Sequence, residues 1–164
     1  MDFFVNFFVA AVLAGTPLLF GILGEIINEK AGHLNLGVEG MMSIGAVGGF
    51  VVGYWTDNLV LALAAAFVTG MLGALIYAVL TVTFMADQNV TGLTLTIFGI
   101  GFSNFVGDFV REKSGNTSLK LPEGILDSLG KVKLPFLTDI PVIGKLLFNY
   151  NIFVYLGIAA AILC

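Results

Sequence analysis

Five apolar segments follow one another along the chain, and roughly 20 such residues suffice to cross a bilayer as a helix. The first runs from about Phe3 to Ile27; Pro17 lies inside it, so a kink is expected there, and Gly32 is placed to end the helix. The second starts near Leu36, with Asn35 as candidate N-cap, and ends at Tyr54 and Trp55, an aromatic pair suited to a membrane interface. A short Asp57–Asn58 turn leads to the third, Leu59 to Phe84. The fourth covers Val90 to Val110. The last, Asn151 to Cys164, is too short to cross, and the sequence stops inside it. The pattern predicts an all-α, polytopic transmembrane helical bundle with about four complete spans plus the start of a fifth. It reads as a single domain over 1–164, cut short at its C-terminal end.

Periodicity within the spans assigns faces. Gly45, Gly49 and Gly53 recur every fourth residue on the second span, and Ala62, Ala66, Gly70, Ala74 and Ala78 do so on the third. Small residues at that spacing let helices approach closely, so both stripes are expected to pack against other helices. On the fourth span, at about 100° per residue, Gly92, Thr96, Gly99, Ser103, Asn104 and Gly107 share one arc. Phe98, Phe102, Phe105 and Phe109 share the opposite one, which suits lipid. The polar arc must meet protein or a wet cavity. Two readings stand side by side for it, interhelical hydrogen bonding and the lining of a pathway.

Between the fourth and last segments, Arg111 to Asn149 holds six of the seven cationic residues and is punctuated by Gly and Pro. An extramembrane loop is expected, with a short helix near Glu123–Leu129. Composition agrees: 58% of residues are hydrophobic, 11% are charged, and mean hydropathy is +1.01, against about 25% charged in a soluble domain. The net charge of −4 comes without a basic cluster, which argues against nucleic acid as a partner. The single cysteine, Cys164, excludes an internal disulfide, and no phosphate-binding GxxxxGK[ST] loop occurs. Charge leaves orientation open. Lys30 places the first loop in the cytoplasm by the positive-inside rule, which then puts 111–149 outside despite its cations.

The polar stretch Gly32–Gly40 interrupts this oily chain. It is either an aqueous loop or the break of a discontinuous helix at 32–40, whose exposed backbone and helix ends could meet a solute. Glu39 must point into protein or water, because a charge facing lipid costs about 2.5–3.5 kcal/mol on insertion scales. It either stabilises the helix N-terminus or serves a pathway. Asn35 is either N-cap or ligand to a hydroxyl. Met42 suits packing or a soft lining. With no second histidine and no nearby cysteine, His33 carries no metal expectation. The candidate pathway set is thus Asn35, Glu39, Met42, Thr96, Ser103 and Asn104, with no catalytic group, no metal and no cofactor in this chain.

The run GHLNLGVEGMMSIGA (32–46) resembles the signature of ABC-importer permeases of the branched-chain amino-acid, ribose and nucleoside group, closest to the simple-sugar and nucleoside branch. TPLLFGILGEIINEKAG (16–32) is similar to that branch's first-helix end, NVTGLTLT (89–96) to its fourth-helix start, and DIPVIGKLLF (139–148) to its external loop. The resemblance implies a non-enzymatic permease subunit that forms part of a pore for nucleosides or simple sugars in a bacterial cytoplasmic membrane. It implies a second permease subunit, a cytoplasmic ABC ATPase and an extracytoplasmic binding protein or lipoprotein as partners, beside the lipid bilayer. It also places 111–149 outside; the ATPase-docking segment of such permeases is expected beyond the last residue. The competing expectation is a membrane scaffold whose stripes only pack helices.

Overall fold

The computed structural model describes residues 2–115, 118–130 and 150–164. The Asn116–Thr117 pair and residues 131–149, with Lys131, Lys133, Lys145 and the 139–148 segment, lie outside the described residues. Every described element is helical: α1 (Asp2–Lys30), α2 (Val38–Thr56), α3 (Leu59–Ala78) prolonged by a π turn (Val79–Thr83), α4 (Gln88–Ser114), α5 (Glu123–Ser128) and α6 (Ile152–Leu163). α1, α3 with its π turn, and α4 are long and apolar enough to cross a membrane. α2 has 19 residues, about 28 Å, but its glycines and Glu39 dilute its hydropathy. Three helices therefore meet both criteria where the pattern predicted four. α6, with 12 residues, is too short, as expected.

The helix ends follow from local chemistry. α1 runs unbroken through Pro17. It closes as Gly32 takes φ +87°, its N–H donating to the Glu29 carbonyl and that of His33 to the Asn28 carbonyl. That pair of bonds is the glycine-terminated Schellman arrangement. Asn58 caps α3, its Oδ1 accepting from Val60 and Leu61 N–H at 2.9 and 3.2 Å. Asp87 caps α4 through Val90 N–H at 2.9 Å. Each such cap is worth about 1 kcal/mol. α4 outruns its predicted end and stops at Ser114, where Gly115 adopts φ +67°. The connection to the last helix thus begins at 115, not 111.

The chain divides into two compact units, Met1–Ile27 with Leu129–Cys164, and Asn28–Ser128. In the first, α6 lies on α1: a methyl placed on Gly157 would stand 3.2 Å from Leu19 and 3.4 Å from Phe20. Asn151 caps α6 through Val154 N–H, and Phe3, Phe4, Phe7 and Phe8 project outward.

In the second unit α2 is central and α3 and α4 flank it. α2 and α3 run antiparallel through their small stripes, Gly45 on Gly70, Gly49 on Ala66 and Gly53 on Ala62. A methyl on Gly49 would stand 2.8 Å from the Ala66 Cβ. The α3 stripe meets α2 at Ala62, Ala66 and Gly70, whereas Ala74 and Ala78 are exposed. Gly73, Tyr77 and Thr81 are buried in their place. Four residues turn a helix by about 400°, so an i+4 series drifts about 40° per step. Four steps carry Ala78 about 160° away from Ala62; the contact stays on its side by advancing only three residues, from Gly70 to Gly73.

α2 and α4 run parallel, Gly37 against Gly92 and Gly40 against Leu95, Thr96 and Gly99. At the crossing the two backbones touch: a methyl on Gly99 would meet the Gly40 carbonyl oxygen and lie 2.6 Å from the Gly40 Cα. The short helix α5 appears within the stretch predicted for it. It seats Ile125 over Gly53, and Ile125 and Val110 are the most buried large side chains described, at 2% and 1% exposure.

Candidate functional site

The connection between α1 and α2, residues 31–37, is a non-helical loop between two separate helices. α2 starts at Val38, with Gly37 in the N-cap position and no side-chain cap. The predicted start at Leu36 with an Asn35 cap is therefore corrected. Asn35 is buried, and its Oδ1 accepts from Gly37 N–H at 2.8 Å, turning the chain two residues on. Its Nδ2 lies 3.5 Å from the Met41 sulfur. The carboxamide is spent on shaping the loop rather than on capping the helix.

Packing gives the depth of this loop. The α2–α3 pairs sum to 115 in residue number (45 + 70, 49 + 66, 53 + 62), which sets Val38 level with residue 77. α3 and its π turn continue to Thr83, six residues and about 9 Å further. Gly37 meets Gly92, four residues and about 6 Å inside the start of α4. α2 thus begins recessed below the ends of both neighbours, and the loop fills the recess. A recess among helices exposes backbone polar groups that must find partners. Tyr77 donates its hydroxyl to the Leu34 carbonyl at 2.7 Å, Gln88 Oε1 accepts from Leu34 N–H at 2.7 Å, and Thr96 donates to the Leu36 carbonyl at 2.8 Å.

The unit has two unlike faces. With the Gly40–Gly99 contact set at zero and about 100° added per residue, Gly45, Gly49 and Gly53 point to α3 at about 140–220° on α2. Glu39 and Ser43 fall at about −100° and −60°. On α4, Leu95, Thr91 and Phe98 lie at about −40° to −100° and border a cleft toward α3. Ser103, Thr96, Gly107 and Asn104 lie at about +40° to +140°. Because α2 and α4 are parallel, negative angles on one and positive angles on the other look the same way. Glu39, Ser43, Thr96, Ser103 and Asn104 therefore share one face. The opposite face holds the cleft of about 380 Å³, lined by Ile76, Leu80, Val90, Thr91, Thr94, Leu95 and Phe98. All four phenylalanines of the α4 arc are exposed, Phe105 to 69%.

Of the predicted set, Glu39 is exposed. Its position one residue before the buried Gly40 turns it away from both neighbours, while its carboxylate still favours the first turn of α2. Asn104 is also exposed, and Ser103 returns its hydroxyl to the Gly99 carbonyl of its own helix at 2.7 Å. Met42 is half-buried on the α3 side and stands apart from the polar face. Ser43, Tyr77 and Gln88 escaped the sequence reading. Ser43 stands one turn beyond Glu39, a spacing that was available; the roles of Tyr77 and Gln88 come from contacts 43 and 54 residues away in sequence. Among the described residues no group of three or more His, Cys, Asp or Glu side chains is placed to hold a metal.

Residues 6–163 match the family described as branched-chain amino acid transport system / permease component. The chain is 36% identical over 161 residues to the putative glucose ABC transporter permease protein TsgC13 of Haloferax volcanii, covering 98% of this chain and 46% of that protein. It is 32% identical over 146 residues to the guanosine ABC transporter permease protein NupQ of Bacillus subtilis, covering 85% and 44%. It is 30% identical over 159 residues to the nucleoside ABC transporter permease protein NupC of Lactococcus lactis subsp. cremoris, covering 93% and 48%. The chain thus spans about half the length of these relatives. No solved structure matches it.

Proposed function

Because the chain belongs to the branched-chain amino acid transport system permease family, we propose that it is the membrane-spanning permease part of an ATP-driven importer for nucleosides or simple sugars. The polar face of α2 and α4 lines the route. The observation that carries this reading is the gathering of Glu39, Ser43, Thr96, Ser103 and Asn104 on one face, opposite the exposed phenylalanines. The chain is a multi-pass membrane protein, and the cytoplasmic membrane is the setting we assign to it. A second permease subunit, a cytoplasmic ABC ATPase that hydrolyses the nucleotide, and an extracytoplasmic substrate-binding protein or lipoprotein complete the machine. Residues 118–130 face outward in this arrangement.

The face offers a carboxylate, a carboxamide and hydroxyls, all able to bond hydroxyl groups or base edges. No lysine or arginine stands among its five residues; Arg111 and Lys113 occupy the last turn of α4. A neutral, hydrogen-bonding solute fits, and a phosphate or carboxylate does not. Glu39→Gln and Asn104→Ala in the full-length subunit, with its copy number in the membrane measured, test the assignment through uptake of labelled nucleoside and glucose. Loss of one solute hydrogen bond is worth about 1 kcal/mol or more, so each variant should raise the half-saturating concentration about fivefold to tenfold. Normal uptake by both would remove the face from the route.

A further inference from the structure

The contacts of α2 with α3 are close: glycines and alanines face one another along them, Thr69 stands against Gly48, and Met41 and Ile44 stand against Gly73. Beside the glycine crossing of α2 with α4, polar bonds hold the loop that leads into the first turn of α2. Both backbone groups of Leu34 are taken, the N–H by Gln88 Oε1 and the carbonyl by the Tyr77 hydroxyl, each at 2.7 Å. The same Gln88 carboxamide places its Nε2 3.2 Å from His33 Nδ1. A backbone N–H can only donate, so the oxygen of Gln88 belongs at Leu34 and its nitrogen at His33, whose Nδ1 then accepts. One carboxamide thereby spans two successive loop residues, while Tyr77 holds the loop from α3. Glu39 follows Leu34 by five residues, across the Asn35 turn and Gly37.

We infer that Tyr77 and Gln88 are positioning residues for transport, gripping Leu34 from α3 and α4 and so fixing the height and rotation at which α2 presents Glu39 on the polar face. This rests on the proposed role of that face. The two residues touch no solute. They act through the loop, and their effect on uptake is one of alignment rather than of contact.

Three variants separate alignment from folding in the full-length subunit within its intact transporter. Tyr77→Phe removes one oxygen and keeps the buried ring. Gln88→Met removes both polar atoms at similar length. Gln88→Glu keeps the acceptor for Leu34 and loses the donor to His33. Tyr77→Phe and Gln88→Met should each raise the half-saturating concentration about fivefold, with maximal uptake per copy within twofold of the parent, and Gln88→Glu should fall between parent and Gln88→Met. The Tyr77→Phe/Gln88→Met double variant should be less than additive, since both release the same residue. A merely structural role would lower copy number and leave the half-saturating concentration unchanged. That result beside an affected Glu39→Gln overturns the positioning and leaves the face standing; unchanged values in all, Glu39→Gln included, overturn both. Amide exchange on purified full-length subunit gives a second measure that does not depend on uptake. Leu34–Gly37 should exchange at least tenfold faster in Tyr77→Phe, and exchange equal to the parent's also overturns the proposal.

Discussion

Gly99→Ala is a substitution to which the unit should be highly sensitive for its size. The added methyl would meet the carbonyl oxygen of Gly40 and stand 2.6 Å from its Cα. Carbon atoms in good contact sit about 3.5–4.0 Å apart, so α2 and α4 must separate by about 1 Å at the crossing. Neither obstacle is a side chain that can rotate away; both are backbone. Overpacking of a single group costs about 1–3 kcal/mol, and the upper end applies where nothing can yield. About 3 kcal/mol corresponds to a factor of roughly 150 in the equilibrium between assembled and separated helices. Gly101→Ala is the matched control: it lies two residues along the same helix, with nothing within 4 Å of the added carbon. Removing a helical glycine there should be neutral or stabilise by up to about 1 kcal/mol. Purified protein in detergent, unfolded by heat or denaturant, reads the difference. Gly99→Ala should unfold well before the parent and Gly101→Ala with it or after it. Equal stability of the two variants would refute the close crossing and, with it, the rotation of α4 on which the assignment of faces depends.

Three further expectations bear on other parts of the chain. Ile125→Ala empties the seat over Gly53 and should loosen α5 by about 2–5 kcal/mol, seen as faster proteolysis within 115–130 while the helices stay intact. Cysteines at the exposed Ser118 and Ser128 in the full-length subunit should react with an impermeant thiol reagent from outside the cell; reaction only after lysis would invert the orientation. Tryptophan at Phe105, with Trp55 replaced by phenylalanine, should be quenched strongly by bromine on the lipid acyl chains. Tryptophan at Asn104, in the same background, should be quenched little, because the polar face is turned from lipid.

Helix positions were legible in the sequence as apolar runs, with Gly32 marking the end of α1, while most of the other ends carry a chemistry that the runs did not single out. Asn58, Asp87 and Asn151 cap the helices that follow them, and Gly32 and Gly115 take the positive φ that closes those before. Helix rotation was legible only over short distances. The phenylalanine arc of α4 is exposed as predicted, but the five-residue α3 stripe drifts off its neighbour after Gly70, since an interval of four does not match 3.6 residues per turn. The π turn at Val79–Thr83 had no signal in the pattern. The depth of the recess of α2 was not readable from residues 32–40, which left a loop and a helix break both open. It depends on where Gly73 and Gly92 meet α2 and on the reach of Tyr77 and Gln88, distances no local pattern contains. Glu39 shows the same limit: a charge in an oily chain had to avoid lipid, and that condition does not distinguish burial among these helices from exposure on their polar side.

That distinction separates the two readings of the polar residues. Helix association in a bilayer gains little from the hydrophobic effect, so polar side chains can serve as interhelical bonds. Tyr77, Gln88 and Thr96 do so, each bonding the loop from another helix. The other polar groups of the shared face do not. Ser43 and Ser103 bond their own helices one turn back, and Glu39 and Asn104 are exposed on the unit's polar side. If these groups were glue, they would be spent between α2 and α4, where instead two glycines bring the backbones together. A carboxylate left facing hydrocarbon is costly, whereas the phenylalanines on the other side are at no cost in lipid. The unit is therefore asymmetric by construction, one side made for acyl chains and the other for protein or water. A scaffold that only packed helices would require the first side and the glycine crossing; the uncommitted carboxylate and carboxamide on the second side are what a route for a hydrogen-bonding solute requires in addition.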